Sequence, residues 1–334
     1  MKVLVTGGSG FLGSHLITYL LNQGIEVRAI EHITPIQTPA HSGLEIVRGD
    51  LRVHACLLDI TCGIDAVFHT AAKPGIWGSW SDYFSTNALI TRYLLDAAQQ
   101  NKVKYFIYTS TASVVFRNQS LRGITEQVPY GKRWLCHYAH TKAIAEQEVL
   151  AASGHSSMAT IALRPHLMWG PGDRHLVPRL LQKARLNEVY KIGEGSNFAD
   201  ILYIDNAVHA HWLALQALIK GKGVGKPYFI AQEKPVNLWS WIQDLLHMHH
   251  VSPIQKSLSF KSAYALGYIF EMAYKLVQAQ KEPSLTRFLA LQLAKDFYFS
   301  TQAAREDLGY SPLISTPEAM ETLANSKRPI MAAK

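Results

Sequence analysis

The chain opens on a short apolar, β-branched run at 2–6 and then changes period. From 11 to 22 its apolar residues recur three and four apart, the spacing of a helix that buries a face. The two patterns alternate through the first half. Strands are predicted at 2–6, 26–30, 45–47, 66–69, 105–109 and 160–164, and helices at 11–22, 87–100 and 138–152. The strands are apolar on both faces, as strands covered from both sides are. Repeated β-α-β of this kind predicts an α/β fold: a Rossmann-type, doubly wound parallel sheet. No internal repeat or low-complexity tract interrupts it.

Beyond Arg164 the pattern loosens, punctuated by Pro165, Gly170, Pro171, Gly172 and Pro178. Segments 201–204 and 228–230 are expected to return to the sheet. The expected division is therefore a Rossmann domain over 1–165, with returning segments near 200–232, and a smaller, discontinuous substrate-binding lobe over 166–199 and 233–330. Segment 263–277 is almost entirely apolar or aromatic, broken by Glu271 and Lys275. It is too short for a spanning helix, which needs about 20 apolar residues. It is expected as a buried helix of the smaller lobe. The alternative is a lid or membrane-surface helix.

Composition adds bounds. Of 334 residues, 48% are hydrophobic and 17% charged, enough apolar material for a large core. Three cysteines, Cys56, Cys62 and Cys136, form no C-x-x-C pair and argue for a reducing compartment. The first strand follows Met1 directly and leaves no room for a leader, so a cytoplasmic protein is expected, with or without membrane association. The net charge of +8 suits an anionic ligand or membrane surface, and no dense Lys/Arg cluster argues for nucleic acid. A homodimer and a peripheral membrane contact through 263–277 are the partner arrangements left open. His247, His249 and His250 lack a carboxylate or cysteine partner at metal-ligand spacing, so no metal is expected.

The chemistry begins at Gly7-Gly8-Ser9-Gly10-Phe11-Leu12-Gly13, between the first strand and the first helix. Its glycines satisfy G-x-G-x-x-G at 8, 10 and 13, and G-x-x-G-x-x-G at 7, 10 and 13. Glycine allows the tight turn and lets backbone approach a pyrophosphate, while the helix N-terminus offers free N–H groups. In strand-turn-helix context the motif predicts a dinucleotide site. Glu31 lies about 20 positions after Gly10, where a carboxylate binds ribose hydroxyls and repels a 2′-phosphate; this leans toward NAD over NADP. Asp50, followed by Leu51, is a candidate acceptor for the adenine amino group, with a turn-forming role as the alternative. His69, Ala71 and Ala72 end the fourth strand, at the sheet edge where ligands bind.

Tyr138 and Lys142 stand four apart on one predicted helical face. A tyrosine of ordinary pKa near 10 is protonated at neutral pH, and a neighbouring ammonium would stabilise its phenolate. It can then exchange a proton with a carbonyl or alcohol oxygen while hydride moves at the same carbon. The hydroxyl-rich strand end Thr109-Ser110-Thr111-Ala112-Ser113 can orient that oxygen.

Taken with Asn87, these motifs resemble the extended short-chain dehydrogenase/reductases along the whole chain. The resemblance implies that Tyr138 is the acid/base, that Lys142 binds the nicotinamide ribose, that Asn87 supports the lysine or a relay water, and that Thr111 is the catalytic hydroxyl, with Ser110 as runner-up. The run 162–173, through Pro165 and His166, together with 192–197 and 205–209, resembles the 3β-hydroxysteroid dehydrogenase branch. Within it, 71–80, 128–131, 141–146 and 285–288 are most similar to bacterial 2-alkyl-3-oxoalkanoate reductases of long-chain olefin and β-lactone synthesis. Those resemble NADPH users, whereas here no arginine adjoins Glu31 in sequence, so NAD and NADP both stay open.

The expected reaction is thus reduction of a 2-alkyl-3-keto acid to the hydroxy acid, with a 3β-hydroxysteroid or sterol dehydrogenase as the alternative. Lys73, Trp77, Trp80 and Arg174 are candidate substrate contacts: aromatic walls for an acyl chain and cations for a carboxylate. A nucleotide-sugar enzyme is disfavoured because Ala112-Ser113 follows Thr111 in place of an acid pair, and Ala199 precedes Asp200 in place of arginine. A catalytically idle binding protein is disfavoured by the intact Tyr138, Lys142 and Thr111.

Overall fold

The computed structural model describes residues 1–153 and 157–325; residues 326–330 of the expected lobe lie outside the described residues. Seven strands form the main sheet: β1 (Lys2–Thr6), β2 (Glu26–Glu31), β3 (Leu44–Arg48), β4 (Ala66–His69), β5 (Tyr105–Thr109), β6 (Ala159–Pro165) and β7 (Lys226–Ile230). Their spatial order is β7-β6-β5-β4-β1-β2-β3, and every pairing is parallel. The order reverses between β1 and β4, so their carboxyl ends open the crevice in which doubly wound sheets bind ligands.

Both sheet faces are apolar, as the strand pattern predicts. Val3, Val5, Val27, Ala29, Phe68 and Ile107 enter the core beneath α1 (Phe11–Asn22) and α6 (Ile204–Ile219). Their alternates Leu4, Ile30, Val67, Phe106 and Ala162 enter a second core, under α2 (His54–Thr61), α3 (Ile90–Gln100) and α4 (His137–Ala152). Each such buried aliphatic or aromatic side chain contributes about 1.5–3 kcal/mol.

Two expectations about elements are corrected. Tyr228–Ile230 does rejoin the sheet as part of β7, but Leu202–Tyr203 does not; it pairs in parallel with Met168–Trp169 in a separate two-stranded sheet. A two-residue strand ending at α6 is too short to be told from a helix lead-in by its apolar residues. The helix expected from Asn87 begins as a π-helical stretch, Phe84–Leu89, before α3. Such wide turns cluster at functional sites.

The remaining elements gather beyond the carboxyl edge. A four-stranded sheet joins Val236–Asn237, Phe198–Ala199, Phe297–Phe299 and Leu121–Ile124. Around it lie α5 (Leu176–Arg185), α7 (Leu238–Met248), α8 (Phe260–Leu276) and α9 (Arg287–Ala294). Helix α8 overturns the expectation of burial. Only Ala263, Gly267 and Glu271 on it are buried, while Tyr268, Ile269 and Leu276 are 49%, 56% and 86% exposed. A Cβ on Gly267 would stand 2.7 Å from the backbone of Thr286 and Arg287, so α8 approaches the start of α9 at a distance only glycine permits. Among the described residues, no helix is long and apolar enough to cross a membrane.

Candidate active site

The glycine turn joins β1 to α1. Gly7 has φ +71°, a conformation glycine adopts without strain, and donors inside the turn are used sparingly: Gly10 N–H donates to Gly7 O at 2.8 Å. A Cβ on Gly13 would lie 2.2 Å from Gly7 O, and one on Gly7 2.8 Å from the Ala71 backbone. The turn is therefore closed against both its own helix and the end of β4. No side chain caps α1 at Gly10, so its first N–H groups face the crevice with their partial positive charge. Leu12 is buried in the core and Ser9 half-buried, so this segment offers mainly backbone. An unfilled backbone cradle at a helix N-terminus fits the pyrophosphate of a dinucleotide.

At the expected adenosine end, Glu31 ends β2 as predicted, but its carboxylate is engaged. Oε2 accepts from Ile36 N–H at 2.9 Å, and Oε1 accepts from Arg48 Nε at 3.0 Å. These hydrogen bonds hold its pKa below the usual carboxylate range. No arginine adjoins Glu31 in sequence; the β2–β3 register places Arg48 directly opposite it. Asp50 is likewise held: both its oxygens accept from Arg52 Nε at 3.0 Å, and Oδ1 also closes a turn on Arg52 N–H. Its pKa falls to about 2, chiefly through that side-chain bond. The Asp50 carboxylate is thus engaged within a turn. Leu51 packs on the neighbouring core.

His69, expected at the cofactor, is fully buried and supports the strand end instead. Thr91 Oγ1 donates to Asn87 O at 2.7 Å, so it accepts from His69 Nε2 at 2.9 Å. His69 Nδ1 then accepts from Thr6 Oγ1 at 2.7 Å. This chain ties β1, β4 and α3 together at the switch point. Burial, with a smaller push from Lys142, lowers the His69 pKa to about 3, so the ring is neutral. Ala71 and Ala72 are half-buried beside it. Pro165 ends β6, and the adjoining His166 is buried between Phe297 and Phe299. Its Nδ1 donates to Asp200 O at 2.9 Å, leaving Nε2 with no partner among the described residues.

Asn87 was expected to support Lys142 or a relay water, and among the described residues its side chain makes no bond to the lysine. Its amide instead clamps the segment after β4: Oδ1 accepts from Lys73 N–H at 2.7 Å, and Nδ2 donates to Lys73 O at 3.2 Å and Thr141 Oγ1 at 3.3 Å.

Helix α4 carries the catalytic candidates on one face. Burial pushes the Tyr138 hydroxyl up to about 12, an effect the Thr111 side chain partly offsets. Lys142 is 2% exposed; its Nζ donates to Thr109 O at 2.6 Å and sits 4.0 Å from the centre of the Tyr108 ring. Burial lowers its pKa to about 7, countered in part by Glu146 one turn further on. The expected lowering of Tyr138 by the lysine is not seen; desolvation sets the direction of its shift. Thr111 Oγ1 accepts from Ser113 N–H at 3.2 Å, and Ser110 is buried with no partner for its Oγ among the described residues.

The sequence reading missed the support beneath this face. Arg164 and Glu146, 2% and 0% exposed, form a bidentate pair, and Tyr130 donates to the same carboxylate at 2.7 Å. Its signal was the i+4 continuation from Tyr138 and Lys142 to Glu146. His211 Nδ1 donates to Ala207 O at 2.7 Å and Nε2 accepts from Thr109 Oγ1 at 2.7 Å, fixing the strand end that holds Lys142.

The candidate substrate contacts differ in what they already touch. Trp80 stacks on Phe84 at 5.5 Å and packs on His140 at 4.8 Å. Trp77 Nε1 donates to Ala279 O at 3.0 Å, and its ring meets Tyr274 of α8 edge-on. Lys73 is already paired with Asp82 at 3.3 Å, so it is a poor receptor for another carboxylate. Arg174 is half-buried and pairs with no carboxylate among the described residues.

Known proteins share this arrangement. Residues 4–260 match the 3-beta hydroxysteroid dehydrogenase/isomerase family. The chain is 43% identical to a 2-alkyl-3-oxoalkanoate reductase of Stenotrophomonas maltophilia, over 98% of this chain and 99% of that one. It is 39% identical to a 2-alkyl-3-oxoalkanoate reductase of Shewanella oneidensis, over 96% of this chain and 85% of that one. Among solved structures, MoeE5 in complex with UDP-glucose and NAD superposes with a TM-score of 0.74 at 26% identity, over 97% of both chains. The chain is therefore a member of the 3-beta hydroxysteroid dehydrogenase/isomerase family, an oxidoreductase on an extended short-chain dehydrogenase/reductase fold.

Proposed function

We propose that this protein reduces the 3-keto group of a 2-alkyl-3-oxoalkanoate to the 3-hydroxy acid with NADH or NADPH. The observation that carries the chemistry is the shared face of α4, which sets buried Lys142 one turn from Tyr138 and holds its Nζ on Thr109 O, at the strand end that leads into Thr111. The nicotinamide cofactor, when bound, supplies the hydride. Tyr138 donates its proton to the substrate oxygen, and Thr111 hydrogen-bonds that oxygen and holds it in line. A charge on Lys142 stabilises the tyrosinate left behind. The glycine turn and the α1 N-terminus hold the pyrophosphate. The guanidinium of Arg48 offsets the Glu31 charge that would repel a 2′-phosphate, so the early lean toward NAD loses its weight.

The short sheets and helices α5 and α7–α9 are assigned to the substrate lobe. Trp77 and Trp80 line its mouth, and Arg174 is the cation left to meet the acid group. The substrate class is supported by two near-full-length matches to reductases of that name. The family's steroid members favour a second reading, oxidation of a 3β-hydroxysteroid by the same Tyr138. A matrix of both cofactors against 2-alkyl-3-keto acids and ketosteroids decides between them. The proposal expects keto-acid turnover at least about tenfold above any steroid, a difference of about 1.4 kcal/mol in transition-state binding. Steroid turnover alone would replace it with the second reading.

A further inference from the structure

Lys142 stands one turn from Tyr138 on α4 and is buried almost completely. Burial favours the neutral amine, and an uncharged lysine could not stabilise a tyrosinate. Three groups meet this lysine. Thr109 O accepts from its Nζ at 2.6 Å. Glu146, one turn further on, carries the opposite charge, but both its oxygens are taken by the Arg164 guanidinium, which cancels much of its field. The third is Tyr108, whose ring centre lies 4.0 Å from Nζ. A cation over an aromatic face is attracted by the ring quadrupole, and more strongly where water is excluded.

The ring is fixed in that place. Tyr108 is fully buried in β5, in register with His69 of β4 on one side and Ala162 of β6 on the other. The His69 ring packs 5.6 Å from it. Burial holds the Tyr108 hydroxyl well above the ordinary tyrosine value, so the ring is a neutral phenol and the attraction is to its face. The other titratable groups around Lys142 are Tyr138 and Glu146 on the same helix face and His69 on β4, which burial keeps neutral. Arg164 of β6 acts through Glu146, and Arg92 of α3 is paired with Glu148 at the surface.

We propose that Tyr108 is a positioning residue of the active site: its ring face holds Lys142 as an ammonium at the end of β5, one turn from Tyr138. Its effect on turnover rests on the proposed proton transfer from Tyr138; the ring–ammonium contact itself does not.

Proton–carbon NMR of the full chain, with lysines labelled at Cε and without cofactor or substrate, reads that contact. The Lys142 signal is assigned by its loss in Lys142→Arg, and the ring is expected to displace it upfield. Tyr108→Leu should remove the displacement and lower the pH at which Lys142 loses its proton by about one unit. Tyr108→Phe keeps the face and should restore both. Thermal melting confirms that each variant folds. A phenylalanine fluorinated around its ring keeps the shape but not the negative face; it should lower the titration as leucine does, and serves where leucine does not fold. In turnover, the alkaline loss of kcat should move down by about one unit in Tyr108→Leu, which makes it about tenfold slower on that side. A folded Tyr108→Leu whose Lys142 signal and titration stay in place overturns the proposal, as does an unmoved kcat profile. So does a Tyr108→Phe that shifts as far as leucine, which would assign the effect to the hydroxyl. A chain that shows the expected NMR shifts but reduces no keto acid would leave the contact standing and remove the proposed substrate.

Discussion

Tyr138 and Thr111 can be separated from their neighbours by single substitutions. Tyr138→Phe removes the proton donor and leaves the ring; kcat is expected to fall by about 10³-fold, within the reach of general acid catalysis. Cofactor binding, followed by nicotinamide fluorescence, should stay within a few-fold, because the cradle is backbone of a different segment. Thr111→Val should lower kcat by about 10–100-fold, while Ser110→Ala should do far less, as the proposed orientation of the substrate oxygen by Thr111 requires. Equal losses in a kinetic comparison of the two would return Ser110 to the site. Tyr138, Lys142 and Thr111 were legible as letters because spacing along a helix and position at a strand end are local properties. The states of their charges were not. Arg48 reaches Glu31 through β-sheet register, and Arg52 reaches Asp50 through a turn, so neither acid is the free receptor its position suggests.

Among the elements, α4 depends on a buried ion pair. Removing Glu146 alone strands the Arg164 guanidinium in the core, so Glu146→Ala is expected to cost about 3–5 kcal/mol in denaturant unfolding. Replacing both with apolar residues of similar volume should cost much less, because no charge is then left unpaired. A comparable loss in the double variant would show that packing, not desolvated charge, holds the helix. The glycine turn gives a second test. Gly13→Ala places a methyl where Gly7 O stands, and the helix must shift to admit it. Lower cofactor affinity and a lower Tm are expected together. Most elements followed from periodicity; the failures share a cause. Leu202–Tyr203 is too short to carry a period, and α8 is apolar on both sides, so its pattern cannot say which side the protein covers.

For the whole molecule, three buried histidines set a pH dependence of stability. His69, His166 and His211 are pushed down to about 3, 4 and 4 by burial, so in the fold they stay neutral as pH falls through the ordinary histidine range. The unfolded chain takes up those protons near pH 6.5, and stability is therefore lost as pH drops below that value. Asp200 acts in the opposite sense: its pKa is raised to about 7 by burial, so folding takes up a proton there. The three histidines outweigh the one aspartate, so stability is expected to fall as pH drops from 6 to 5. Denaturant midpoints across that range check it, and a flat profile would mean that these histidines titrate in the fold. The doubly wound sheet was legible from its repeated β-α-β pattern. The layers beyond it come from strands of two to four residues brought together from distant segments, which no local pattern announces.

The account turns on carbonyl chemistry at a keto acid, and isotope transfer tests that most directly. The wild-type protein is given a 2-alkyl-3-keto acid and nicotinamide cofactor deuterated at C4 on each face in turn, and the product is analysed by mass spectrometry. One deuterium at C3 of the hydroxy acid, from one face only, is the predicted result. Hydroxy acid without deuterium at C3 from either face, or keto acid left unreduced with both NADH and NADPH, would contradict it.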